Sequence, residues 1–463
     1  MLSAIKINSF KSLENVSVDL GLVNVFVGAN GSGKSNLLEA IGVLGAAANG
    51  RVDDEALLRR GVRPGLPALY KSSFKGSRQP PDIRFTASNE GAEFSVGLFN
   101  PLYKPEPAWR FKTELLQEGQ TKHVGRSPNS KIRLDPYSGY AALKAVELPE
   151  ESLAGKLLKE LRQFAIYAPD TATLRGLNTD PQSREPVGLS GGRLAEAVRD
   201  VLMQVPHAEK AEFRESALNL IDWANGLGAT KTDEVPVSRN ISQPIRILRF
   251  RDRFMADGRN ILSGYDASEG ALYVLFMMVL VHHSESSPVF AVDNFDHALN
   301  PRLAKALTRN LCEWTTARQD RQLLLTSHNP LVLDGLPLRN DAVRLFTVER
   351  SRQGKTGVHR VEVSEQLLKK AEEGVLTVSA MGHGYLRRCA REHLMKLIYF
   401  VTEGPTDQIV IEGLIDHWLG GEDFFPRYIQ PPSSAYSDGL NTNLSEGWKG
   451  VRDWCAGKRA GGP

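Results

Sequence analysis

The chain has 463 residues, 41% of them hydrophobic and 24% charged, which excludes a single ordinary domain and fits a soluble globular protein with ample core. Lys and Arg number 57 against 54 Asp and Glu, so the net charge is +3. Such a balance neither favours nor excludes nucleic acid, because a basic groove can sit on a neutral protein.

In chain order, residues 3–12 and 16–20 alternate like a β-hairpin. Residues 23–27, Val-Asn-Val-Phe-Val, form a β-branched and aromatic run expected to be a buried strand. Gly28, Ala29, Asn30, Gly31, Ser32, Gly33, Lys34 and Ser35 then match the phosphate-binding pattern G-x-x-x-x-G-K-[ST] at every fixed position. Asn36 opens a helical stretch reaching about residue 44. In a strand–loop–helix context, the glycines let backbone N–H groups turn toward phosphate oxygens, and the helix N-terminus adds partial positive charge. Lys34 is placed to reach the β- and γ-phosphates of ATP, and Ser35 to hold Mg²⁺.

Residues 82–87 and 92–98 alternate as strands. Residues 100–135, rich in Pro, Lys and Gly, are expected to be loops and edge strands. From 138 to 226 the pattern turns helical, at 153–161, 193–203 and 210–223. No heptad pattern persists, so a long coiled coil is not expected. Residues 226–237 read as a linker to a strand at 245–250, and 288–350 alternate strand and helix as in an α/β sheet. The longest apolar run, 271–281, is short of the roughly 18 residues of a membrane span and reads as a buried helix.

Residues 288–293, Pro-Val-Phe-Ala-Val-Asp, form an apolar strand ending in a carboxylate. Asp293 there suits Mg²⁺ held opposite Ser35. Residues 323–328, Leu-Leu-Leu-Thr-Ser-His, are a second buried strand, and His328 at its end is a candidate γ-phosphate sensor. Cys312, Cys389 and Cys455 lie far apart, without metal or disulfide spacing. Residues 1–6 carry no leader pattern, so the expected compartment is the cytoplasm, without membrane contact.

The ordered motifs resemble ABC-type ATPases of the SMC, RecF and OLD group. They are the phosphate loop, Ser268-Glu269-Gly270, Asp293-Asn294-Phe295-Asp296 with Asn300-Pro301, and residues 326–330, Thr-Ser-His-Asn-Pro. The start, residues 5–13, is also similar to that group, and RecF-like and OLD-like members are nearest. The resemblance covers about residues 1–388. It implies an α/β P-loop head of ABC type with an inserted helical region. It also implies a homodimer or higher homo-oligomer around ATP and Mg²⁺, in which Ser268, Glu269 and Gly270 touch the γ-phosphate bound by the other subunit. Leu189-Ser190-Gly191-Gly192 spells a transporter signature, but lies about a hundred residues before Asp293 and is read as a loop before the helix near Arg193.

Asn294 departs from the group, which places Glu after the magnesium Asp. Asn positions water but cannot take its proton, so either hydrolysis is slow or another carboxylate takes over; Asp296 is the candidate substitute, although the family pattern places it nearer the dimer contact. Residues 396–416 form a second strand–turn–helix unit. It resembles the first element of a Toprim domain, with Glu403 as a metal ligand and Asp407 opening the helix. The Asp-x-Asp pair such a site needs is not found downstream, so an incomplete Toprim-like α/β segment is expected.

The expected organisation is therefore an ATPase lobe at 1–137, a helical insertion at 138–240, a second ATPase lobe at 241–388, and the partial Toprim-like segment at 396–463. The expected function is an OLD/RecF-like ATPase acting on or sensing nucleic acid, in phage defence or DNA maintenance. The alternatives are an ATP-locked scaffold for an effector protein and an ATP-dependent Toprim nuclease.

Overall fold

The computed structural model describes residues 1–128, 135–204, 206–238 and 244–362, together with the backbone of 396–400 and 424–428. The chain divides into two compact units, Met1–Arg387 and Arg388–Pro463.

The first unit opens with the expected hairpin. β1 (Ala4–Phe10) and β2 (Leu13–Asp19) run antiparallel, with Ile5 facing Val18 and Ile7 facing Val16. β3 (Val23–Val27) is buried at all five positions and leads through the glycine loop into the helix Lys34–Ala48. β4 (Asp82–Ser88), β5 (Ala92–Phe99), β6 (Arg110–Glu118) and β7 (Thr121–Arg126) complete an antiparallel sheet in the order β2-β1-β4-β5-β6-β7.

The sequence reading missed β6, which lies inside this sheet, where loops and edge strands were expected for residues 100–135. A register shift at Gly97/Leu98, which leaves Lys112 of β6 without a partner on β5, breaks its alternation. Its inward-facing Glu114 also looks like a surface residue in sequence, yet is 1% exposed.

Further along come β8 (Ala165–Tyr167), β9 (Ala224–Lys231), β10 (Arg246–Asp252), β11 (Ile261–Ser263), β12 (Val289–Val292), β13 (Gln322–Ser327), β14 (Val343–Arg350) and β15 (Thr356–Arg360). The central sheet has the order β15-β14-β3-β13-β12-β8, parallel except for β15. Its strands β3, β12 and β13 are continuous buried runs because helices cover both faces. Val25, Val292 and Leu325 point into one core, shared with the helices Glu269–His282 and Pro301–Arg318. Phe26, Ala291 and Leu324 point into the other, shared with Lys34–Ala48.

The span 138–240, expected to be helical, holds the helices Tyr140–Lys144, Leu153–Gln163, Leu194–Gln204 and His207–Leu220. It also supplies β8 to the central sheet and β9 to a three-stranded sheet, β11-β10-β9. β8 has only three residues, too few to show a period in sequence. The 271–281 run is buried throughout, in the helix Glu269–His282. Among the described residues no helix is long and apolar enough to cross a membrane.

In the second unit β16 (Lys396–Phe400) and β17 (Phe424–Tyr428) pair in parallel, from Lys396 opposite Phe424 to Phe400 opposite Tyr428. The expected strand at the start of the Toprim-like segment coincides with β16. Glu403 and Asp407 lie outside the described residues.

Candidate nucleotide-binding site

The strand order decides the site. β3 lies beside β13, and β13 beside β12, so the C-terminal ends of three parallel strands meet. Ligands of open α/β sheets bind at such ends. Here β3 leads into the glycine loop, β12 into Asp293, and β13 ends in Thr326 and Ser327 and leads into His328.

The loop is held open by what surrounds it. Gly31 and Gly33 have φ of 77° and 110°, in the left-handed region that favours glycine. At Gly28 a Cβ would sit 2.1 Å from the Val348 carbonyl oxygen, so the backbone can pass only without a side chain. Thr356 Oγ1 lies 2.7 Å from both the Ser32 carbonyl and Ser12 Oγ, and Asn36 Nδ2 donates to Ser12 Oγ at 2.8 Å. The loop is thus propped from the β1–β2 turn and from β15. Ala29, Asn30 and Gly31 remain exposed at its crest.

Lys34 is 7% exposed and donates to the carbonyls of Gly28 at 2.7 Å and Ala29 at 3.0 Å. Burial lowers its pKa, while Asp293 and Asp296 pull it back up. Among the described residues no carboxylate bonds it directly, so the ammonium sits inside the loop with its charge available to an anion.

Ser35 Oγ donates to Asp293 Oδ2 at 2.8 Å. The other Asp293 oxygen accepts from the Thr326 hydroxyl, and Thr326 Oγ1 in turn accepts the Asn294 N–H at 2.8 Å. Thr326 is completely buried. Asn294 has a φ of 52°, a conformation that Asn tolerates better than most residues, and its side chain is exposed.

Asp296, placed by the sequence reading near a dimer contact, is 4% exposed and accepts from Ser327 Oγ at 2.8 Å. Its Oδ1 has no hydrogen-bond partner among the described residues, and burial raises its pKa. His328 is exposed at the end of β13.

Ser268, Glu269 and Gly270 begin the helix Glu269–His282, with Ser268 at its N-cap. Trp223 Nε1 donates to Ser268 Oγ at 3.3 Å, and Thr171 Oγ1 donates to Glu269. No hydrogen bond among the described residues joins these three residues to the phosphate loop, so residues 28–36 and 293–296 come together without them. Leu189 to Gly192 form a loop folded around Asp180, which accepts the N–H groups of Ser190 and Gly192 at 3.0 and 3.1 Å.

The sequence reading also missed a buried ionic group behind the loop. Glu39, 2% exposed, pairs with both Lys11 and Arg63. Arg63 has its pKa raised first by Glu39 and also by Asp293. Only its helical position beside an apolar run marked Glu39 in the sequence.

Among the described residues no group of three or more His, Cys, Asp or Glu could hold a metal ion by itself. Ser35 and Asp293 together suit a cation that takes its other ligands from phosphate oxygens and water, which is how Mg²⁺ usually binds.

Strand, glycine loop, helix and a facing aspartate at the end of β12, two strands along the same sheet, define a P-loop α/β nucleotide-binding fold. Residues 23–334 match the family model described as "AAA domain, putative AbiEii toxin, Type IV TA system", and the chain belongs to that family. Over 69 residues, 14% of the chain, it is 42% identical to the DNA replication and repair protein RecF of Renibacterium salmoninarum, of whose length it spans 17%. Among solved structures, an SMC head bound to the C-winged helix domain of ScpA is 12% identical with a TM-score of 0.49, over 80% of this chain and 99% of that one. The SMC head domain from Thermotoga maritima is 15% identical with a TM-score of 0.42, over 78% of this chain and 99% of that one.

Proposed function

We propose that this AAA-family chain is an ATP-binding, slowly hydrolysing ATPase that closes as a homodimer around ATP and acts on nucleic acid. The observation that carries the reading is the Asp293 carboxylate held 2.8 Å from Ser35 Oγ and fixed from behind by Thr326. In this reading the loop N–H groups and Lys34 hold the phosphates, and Ser35 and Asp293 hold Mg²⁺. When bound, that ion offsets charge on the β- and γ-phosphates and leaves the terminal phosphorus open to attack.

The chain's own residues then set the rate. Asn294, exposed beside Asp293, orients a water without accepting its proton. Asp296, deeply buried and bonded to Ser327, positions the strand end instead of reaching water. The exposed His328 contacts the terminal phosphate. Ser268, Glu269 and Gly270 offer a helix N-terminus to the nucleotide of the partner subunit.

The similarity to a stretch of RecF, a replication and repair protein by its name, supports nucleic acid as what the ATPase serves. An OLD-type role in phage defence and a Toprim-like metal site at Glu403 follow from the sequence resemblance, and a cytoplasmic setting from the widely spaced cysteines. The second reading is an ATP-held scaffold that recruits or restrains an effector protein, and Asn294 favours it over rapid turnover.

Steady-state turnover separates the two outcomes. Loss of a general base typically costs about 10²–10⁴-fold, so the wild type should turn over well below about 1 per second, and Asn294→Glu should raise that rate. A wild-type rate within roughly 1–10³ per second, unchanged in Asn294→Glu, would contradict the reading.

A further inference from the structure

The three-stranded sheet β11-β10-β9 carries a feature that the nucleotide site does not use. β10 reads Arg246-Ile-Leu-Arg249-Phe-Arg251-Asp252. Leu248 and Phe250 point into the core, which turns Arg249 and Arg251 to the opposite, solvent-facing side. Directly across the ladder, Arg249 faces Gly228 and Arg251 faces Gly226. A side chain at Gly228 would meet nothing within 4 Å, so the floor between the arginines is bare backbone. The exposed Arg214, from the helix His207–Leu220, closes the side of the resulting groove of about 360 Å³.

The charge in this groove is of one sign. No acidic side chain lines it, and Arg214, Arg249 and Arg251 have no ion pair among the described residues. Two of the carboxylates nearby are engaged locally, while Glu212 and Glu215 flank Arg214 on its helix without lining the groove. Asp252 accepts the Phe254 N–H, and Glu234 accepts from the Thr230 hydroxyl. Unpaired arginines around an open backbone floor are not needed to hold the sheet, whose inner face is already packed. They suit an anion with several phosphates, because guanidinium groups bind phosphate in a fork geometry.

We propose that this face of the β9–β11 sheet binds the phosphodiester backbone of duplex DNA, independently of base sequence. The proposal rests on the reading of the chain as a nucleic-acid-acting ATPase and gives that reading a place on the molecule. A duplex is favoured over a single strand because, among the described residues that line the groove, the one aromatic side chain, Phe250, is fully buried and offers bases no stacking surface. β9 is also a sheet edge, so a strand added by a protein partner is the competing use of this surface.

The test is fluorescence anisotropy of a labelled duplex oligonucleotide, read over a range of salt, with the full chain. It compares the wild type with Arg214→Gln/Arg249→Gln/Arg251→Gln, the corresponding triple Lys variant, and Gly228→Phe, which fills the floor without changing charge. Each lost phosphate contact removes about 0.9 from the slope of log K against log salt, so the Gln variant should bind at least about tenfold more weakly with a slope shallower by about 2.7. The Lys variant should keep most of the affinity, and Gly228→Phe should weaken binding. ATP binding and thermal melting, measured on the same samples, should match the wild type and show that the variants are folded.

Unchanged affinity and slope in the Gln variant would overturn the proposal, place DNA elsewhere on the protein and leave this edge to a protein strand. Tighter binding of a single strand than of the duplex would overturn it as well. A wild type that binds ATP but no DNA at any salt would overturn both the groove and the nucleic-acid part of the functional reading, while leaving the nucleotide site intact.

Discussion

At the scale of single residues, Thr326 decides the geometry of the proposed metal site. Its hydroxyl bonds Asp293 and receives the Asn294 N–H, so one buried group orients the carboxylate and the backbone that follows it. Val has nearly the same shape and can do neither. Thr326→Val should cost about 1–3 kcal/mol of stability, the usual penalty for stranding a buried polar partner, and should weaken the Mg²⁺ dependence of ATP binding. Thermal melting and a Mg²⁺ titration check this, and a variant unchanged in both would remove Thr326 from the site. The sequence displayed Lys34, Ser35 and Asp293 because each occupies a fixed place in a motif. Thr326 was visible only as the polar end of an apolar strand, since its role depends on β13 lying beside β12, which no local pattern encodes.

At the scale of elements, β6 holds two helices by their N-termini. Glu114 accepts the N–H groups of Tyr140 and Ala141 at 2.8 and 2.7 Å, and Glu118 those of Leu153 and Ala154 at 3.3 and 3.0 Å. Four residues apart, the two carboxylates share one face of the strand and satisfy donors that each helix leaves unpaired. Burial raises the Glu114 pKa above its ordinary 4.5, against the lowering effect of those two N–H bonds. A raised carboxyl pKa means that the fold disfavours the charged form. The stability this group supplies is therefore complete below pH 4.5 and is lost as pH rises through the raised value. The melting temperature of the wild type relative to Glu114→Gln should thus fall as pH rises from below 4.5 to neutral, and a constant difference would contradict the assignment. This also explains why β6 escaped the sequence reading. A buried capping carboxylate and a register shift at Lys112 remove the alternation by which β4 and β5 were recognisable.

At the scale of the whole molecule, the order of the parallel strands assembles a site from residues as far apart as Gly28 and His328, while Ser268 to Gly270 stand without a bond to the loop. If they serve a second subunit, their loss should be repaired by mixing. Lys34→Ala and Glu269→Arg chains, each inactive alone, should regain about one working site per dimer, read as ATP turnover across mixing ratios. Additive loss at every ratio would count against the shared site. The α/β class and the ordered motifs were legible from the start, because continuous apolar strands and glycine loops carry strong local signals. The central sheet's edge strand β8 was not, since three buried residues between helices gain their meaning only from the neighbouring β12.

The central claim is that the loop at residues 28–35 binds ATP through Lys34. Equilibrium titration of ATP with Mg²⁺ against the wild type and Lys34→Ala tests it most directly. Each charge-assisted phosphate contact of the ammonium is worth about 1.5–3 kcal/mol, or roughly 10–150-fold in affinity. The account predicts saturable binding by the wild type and its near loss in Lys34→Ala, with the two proteins melting alike. Equal ATP affinity in the two would contradict it.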